Sequence, residues 1–151
     1  MKSDLEPASG LARAARRAPW WISLALMSLL YVSTGIAHFT RPEIYLAIMP
    51  PYLPFHLESV YLSGAFELGL GLALWIPRLR PHAGIGLVLL LIAVFPANLH
   101  MALHPEQFAR FPPAALWIRL PLQLVLIAWA YLGTRSGEAH PFGERPTGAS
   151  A

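Results

Sequence analysis

The stretch LLLIAVFPANLHMALHP, Leu89 to Pro105, decides how the rest of the chain is read. Its first seven residues carry no polar side chain, and its remainder holds two prolines, an asparagine and two histidines. The first half predicts a helix in hydrocarbon. The second half carries groups that hydrocarbon penalises, so it has to face protein or a cavity rather than lipid tails.

Working outward, four segments have the length of a membrane-spanning helix, about 20 residues. They run roughly over Trp20 to Ala37, Leu57 to Ile76, Ala83 to Met101 and Ala114 to Leu132. The chain is 56% hydrophobic and 13% charged, against about 25% charged in ordinary soluble domains. A soluble domain of 151 residues could not hide that much apolar surface. The expected fold is therefore all-α: an integral membrane four-helix bundle over residues 19–134. A weakly ordered arm at 1–18 and a disordered tail at 135–151, both polar or rich in Gly, Pro and Ser, are expected to flank it. There is no cysteine, which excludes disulfides, thiolate metal sites and thiol relays within this chain.

The first segment is read as retained. Its apolar run exceeds a signal-peptide core, Asp4 and Glu6 precede it, and no small-x-small cleavage site follows. With four spans, Lys2, Arg13, Arg16, Arg17, Arg78, Arg80, Arg135 and Arg145 fall on one side, and only Arg41 and Arg110 on the other. The positive-inside rule then puts both termini in the cytoplasm. Trp20, Trp21, Trp75 and Trp129 fall at the cytoplasmic ends of their spans, where indole rings favour the interface.

The outer loop HFTRPEIYLAIMPPYLPFH, His38 to His56, is too apolar for a free linker. TRPE predicts a helix start, with Thr40 as N-cap, Pro42 in the first turn and Glu43 closing a capping box. Pro50 and Pro51 should stop it. The result is a short interfacial helix over the outer mouth, with Glu43 a cap rather than a site carboxylate.

The remaining polar residues share helix faces. Ser28, Tyr31, Gly35 and His38 lie on one face of the first span, and Ser63, Glu67 and Gly71 on one face of the second, with Gly64 close by. Ala115, Arg119 and Gln123 line the fourth. Glu67 stands nine residues in from Glu58, roughly 13 Å, and Arg119 seven residues in from Pro112, roughly 10 Å at the helical rise. Both enter from the outer side, as do His38, Asn98 and His100. The simplest account is a Glu67–Arg119 ion pair. Either it fixes helix register, or it lines a pocket with His38, Asn98 and Gln123. Pro96 frees a carbonyl near Ile92 and opens the helix, so the second half of the opening stretch would line a polar cavity. His100 and His104, four apart, could form half a metal site. With no thiolate to complete it, an interfacial histidine pair is the simpler reading.

Three blocks in order, HFTRPEIYLAIMPPYLP, YLSGAFELGLGLALWIPRLR and LLIAVFPANLHMALHP, resemble the DoxX-like family of small four-helix bacterial membrane proteins. The likeness covers roughly residues 20 to 134. It implies a four-span bundle and an association with membrane redox systems, the family name coming from a subunit of a thiosulfate:quinone oxidoreductase. A related branch uses cysteine pairs for thiol redox work, and that mechanism does not carry over to a cysteine-free chain. Two functions follow as expectations. One is a redox-associated membrane subunit whose outer-half pocket takes a quinone or another small amphipathic ligand. Glu67, Arg119 and His38 would manage a proton or a ligand carbonyl, and a membrane redox partner would handle electrons. The other is a non-catalytic scaffold whose polar groups serve packing and docking. The expected surroundings are the lipid bilayer and not nucleic acid.

Overall fold

The computed structural model describes residues 6–135, and their side chains from Trp20 onward. The described residues are helical and contain no strand. In chain order they form α1 (Glu6–Thr40), α2 (Pro42–Leu46), α3 (His56–Ala73), α4 (Arg80–Leu103), a 3-10 turn (Pro105–Phe108) and α5 (Pro113–Arg135). α1 begins inside the 1–18 arm, and the tail beyond Arg135 lies outside the described residues.

Among the described residues three stretches are long and apolar enough to cross a membrane: Trp20–Thr40, Arg80–Leu103 and Pro113–Arg135. α3 is not among them, because His56, Glu58 and Glu67 dilute its 18 residues. The outer surface supports a membrane setting. Leu29 is 66% exposed, Leu89 61% and Leu124 62%, while Ser28, His38, Arg80, Gln123 and Thr134 are buried. Large apolar side chains outside and polar ones inside invert the arrangement of a water-soluble protein. On these grounds the chain reads as a membrane protein.

Pairwise packing positions the polar groups. α1 lies along α3, and α4 along α5; α3 touches α4, and α1 touches α5 more lightly. α3 and α5 are not a closely packed pair. The α1–α3 seam is narrow because it is lined by small residues. A Cβ added to Gly35 would stand 2.8 Å from the Leu68 backbone nitrogen, and one added to Gly64 would meet the His38 Cβ at 2.5 Å. One apolar core holds Leu24, Met27, Leu74, Leu87, Leu91 and Ala130. A second, toward α2, holds Met101, Phe108 and Leu116.

The loop after α1 departs from the expected capping. Pro42 excludes the helical conformation at the residue before it, so Arg41 sits at φ −141°, ψ 55° and ends α1. Arg41, not Thr40, is therefore the N-cap of α2, and no side chain caps it. Thr40 remains in the last turn of α1, where its hydroxyl donates to the Ile36 carbonyl at 3.2 Å. The expected short helix is present, and turns at 47–49 carry the chain to Pro50. Phe55, at φ 57°, ψ 50°, makes the left-handed bend into α3.

Candidate functional site

The carboxylate of Glu67 does not meet Arg119. It faces His38, with its Oε2 3.6 Å from the imidazole Nδ1. The physical reason is helix order: α3 packs on α1 and α4, α5 packs on α4 and more lightly on α1, and α3 and α5 are not close neighbours. Equal depth in the sequence does not make two helices neighbours.

His38 is buried at 6% exposure and is fixed on several sides. Its Nδ1 lies 2.8 Å from the Thr34 carbonyl. A carbonyl only accepts, so Nδ1 carries a proton and Nε2 is the free acceptor of the neutral ring. Tyr45 on α2 stacks on the imidazole with ring centres 3.5 Å apart, and its hydroxyl donates to the same Thr34 carbonyl at 3.4 Å. Burial first, and the Glu67 charge second, hold the Tyr45 phenol above its ordinary pKa. Tyr31 also lies in the electrostatic field of Glu67, and the Thr34 hydroxyl lies against the carboxylate. Two buried oxygens of this cluster have no hydrogen-bond partner among the described residues, Tyr31 Oη and Glu67 Oε2. The 3.6 Å approach of His38 is too long for a hydrogen bond. α1, α2 and α3 thus assemble one imidazole, one carboxylate and two phenols, with His38 and Tyr31 buried and Glu67 and Tyr45 partly exposed.

Asn98 and Gln123 form a separate group between α4 and α5. Asn98 Nδ2 donates to Gln123 Oε1 at 3.0 Å, and Gln123 Nε2 donates to the Leu91 carbonyl. Pro96 has no N–H to give the ladder at this turn. The carbonyl that gains a new donor is that of Leu91, not Ile92, and Gln123 supplies it. Arg119 stands apart from both groups, with Nη1 3.2 Å from Met101 Sδ and its guanidinium carbon 5.8 Å from the centre of the Phe111 ring.

The His100 and His104 rings lie close, with centres 4.6 Å apart and planes tilted by 45°. His104 pairs with Glu106 at 3.2 Å, and His100 meets the edges of Tyr52 and Phe108. Its own backbone N–H, and then His104, hold the exposed Glu106 carboxyl below the usual range. Among the described residues no three His, Asp or Glu side chains group to hold a metal.

Residues 27–134 match a family described as a domain of unknown function, DUF8561. The chain belongs to this family. No curated protein and no solved structure matches it. The matched segment contains every candidate named above, from Tyr31 to Gln123.

Two groups escaped the sequence reading. In the sequence Tyr45 stands only within the loop helix, and nothing there places α2 against His38. In the sequence Arg80 stands only as a loop charge that sets topology. It is buried, donates Nε–H to the Leu74 carbonyl at 2.9 Å, and lies 4.9 Å from the Trp20 ring and 5.7 Å from that of Trp21. Four tryptophans gathered at one end of the spans were the available signal, since indole faces attract guanidinium.

Proposed function

We propose that the chain is a four-span, DoxX-like protein of a bacterial inner membrane with both termini in the cytoplasm. Its polar cluster at the α2 end would be a site in the outer half of the bilayer for a quinone or another small amphipathic ligand. In this reading α3 is the fourth span, shielded along α1, and α2 lies at the interface. The 18 residues of α3 reach about 27 Å at 1.5 Å each, close to the hydrocarbon thickness.

The observation that carries the reading is the pair of buried, unpartnered oxygens, Tyr31 Oη and Glu67 Oε2, beside one imidazole. Leaving such a group unmet costs about 1–3 kcal/mol, more if it is charged. The chemistry fits a quinone head group. The Tyr31 hydroxyl would donate to a carbonyl oxygen, and Glu67 would accept the proton of a hydroxyl. His38, held through Nδ1, keeps Nε2 as a second proton acceptor. A quinone supplies two-electron, two-proton redox chemistry when bound. The resemblance to the DoxX-like family supports a redox-associated subunit whose electrons pass to a membrane partner.

A second reading, a non-catalytic scaffold, is favoured by the Asn98–Gln123–Leu91 network, which meets its hydrogen bonds within the protein. Organic-solvent extraction of detergent-purified protein separates the two. A quinone should accompany the parent and be lost from Glu67→Gln. A blank extract from the parent, or equal amounts from both proteins, overturns the ligand site.

A further inference from the structure

Arg119 lies six residues into α5 from Pro113, roughly 9 Å along the axis. Its guanidinium carries five N–H donors. The structure gives it one thioether sulfur, at 3.2 Å, and one ring face. A thioether is a weak acceptor, and a ring face offers only quadrupole attraction. Among the described residues no carboxylate pairs with it. A charge at that depth needs a counter-charge, water or a route to the surface.

A second observation points to the same place. His100 is 8% exposed, and its Nε2 is buried without a hydrogen-bond partner. Phe108 links the two groups: it lies edge-on to the His100 ring at 6.1 Å and shares a core cluster with Met101, the residue that Arg119 touches. Thus a guanidinium short of acceptors and an imidazole nitrogen without a partner border one small apolar cluster. On α5, Trp117, Ile118 and Leu122 are exposed around Arg119, a surface suited to acyl chains.

We infer that the α2 ends of α4 and α5 form a binding site for a phosphate oxyanion, anchored by Arg119 and completed by His100, and that this phosphate belongs to an anionic lipid. The planar guanidinium can give two parallel N–H bonds to phosphate oxygens. His100 Nε2 adds a donor when it carries the proton. The lipid tails cover the exposed apolar residues of α5, which a free anion could not do. The site is separate from the Tyr31–Glu67 cluster and does not depend on its function.

Thermal unfolding in detergent tests this, with phosphatidylglycerol, phosphatidylcholine or inorganic phosphate as the additive. At about 100-fold excess over its Kd, a ligand specific to the folded state raises the melting temperature of a chain this size by roughly 5 °C or more. Phosphatidylglycerol should do so for the parent, with phosphatidylcholine well below it. Arg119→Gln should reduce the phosphatidylglycerol shift to the phosphatidylcholine level, and His100→Gln should lose at least half of it. Where Arg119→Gln does not fold, Arg119→Lys keeps the charge without the two-pronged geometry and should also lose at least half. The full parental shift in the Arg119 variants, or no shift in the parent, overturns the site. A parental shift with inorganic phosphate that equals the one with phosphatidylglycerol overturns the lipid as its source.

Discussion

Gly35→Ala and Gly69→Ala make the same chemical change in neighbouring helices and should move stability in opposite directions. A Cβ at Gly35 would lie 2.8 Å from the Leu68 nitrogen and 2.9 Å from the Gly64 carbonyl oxygen, where ordinary contacts begin near 3.4 Å. Both neighbours are backbone, so no side chain can swing away. α1 and α3 must part by about half an ångström along a tightly packed seam. Overpacking of this kind costs about 1–3 kcal/mol, against a gain of at most about 1 kcal/mol for alanine over glycine in a helix. The net loss is about 0–2 kcal/mol, a fall of up to roughly 6 °C in melting temperature. Gly69 has nothing within 4 Å of its added Cβ. There the helix gain stands alone, and the melting temperature should rise by roughly 2–3 °C. Gly64→Ala extends the series, because its Cβ would meet the His38 Cβ at 2.5 Å and push the imidazole out of line. On the proposed quinone site, that variant should fail to retain the ligand as Glu67→Gln does. Tryptophan fluorescence during heating in one detergent reads all three. If Gly35→Ala stabilises as much as Gly69→Ala, α1 and α3 do not approach as described.

Four further outcomes are expected. In double-mutant cycles on thermal stability, Glu67→Gln should couple to His38→Gln by about 0.5–3 kcal/mol and add to Arg119→Met within about 0.5 kcal/mol; the reverse pattern would sink the α1–α3 pairing. Gln123→Leu should cost about 1–3 kcal/mol by stranding Asn98 and the Leu91 carbonyl, and Asn98→Leu in the same chain should recover part of it; no loss on thermal unfolding would mean the network carries no stability. Because the folded state raises the Tyr45 pKa, its contribution is complete below the ordinary value of about 10 and is lost as pH rises through the folded value; stability should fall above about pH 10, and less steeply in Tyr45→Phe. A reporter active only outside the cytoplasm, fused after Ala151, should stay silent, and activity there would reverse the topology.

Much of the fold was legible because it follows from local rules. Apolar length marks the spans that become α1, α4 and α5, and Pro42 with Pro50–Pro51 brackets α2. The stripe of Ser63, Glu67 and Gly71, with Gly64 close by, marks a face of α3 whose two glycines lie against α1. The Thr40 cap failed for an equally local reason: Pro42 acts on the residue before it, so α1 runs through Thr40 and the cap falls to Arg41. The Glu67–Arg119 pair failed for a different one. Sequence gives depth along each helix but not which helices touch, and a carboxylate takes the partner that packing supplies. The identity of that partner, His38, was present in the candidate set, whereas the stacked Tyr45 depends on where a five-residue helix folds back.

The division of polar groups between the two helix pairs is itself an argument about where a site can lie. Between α4 and α5, Asn98 and Gln123 meet each other and a backbone carbonyl, and Thr134 back-bonds to the Ala130 carbonyl at 2.7 Å. A network closed in this way holds helices in register and leaves no group to recognise a ligand. Between α1 and α3, Ser28 closes the same kind of chain, accepting from Trp75 and donating to the Gly71 carbonyl. Toward α2 the pattern changes, and Tyr31, Glu67 and, on α4, His100 each keep a buried polar atom without a partner. Such atoms are costly in a low dielectric. A protein that needed only helix register could carry alanine or leucine there at no such cost. On the functions proposed above, these unpartnered atoms serve recognition of a small amphipathic molecule or a lipid head group rather than packing.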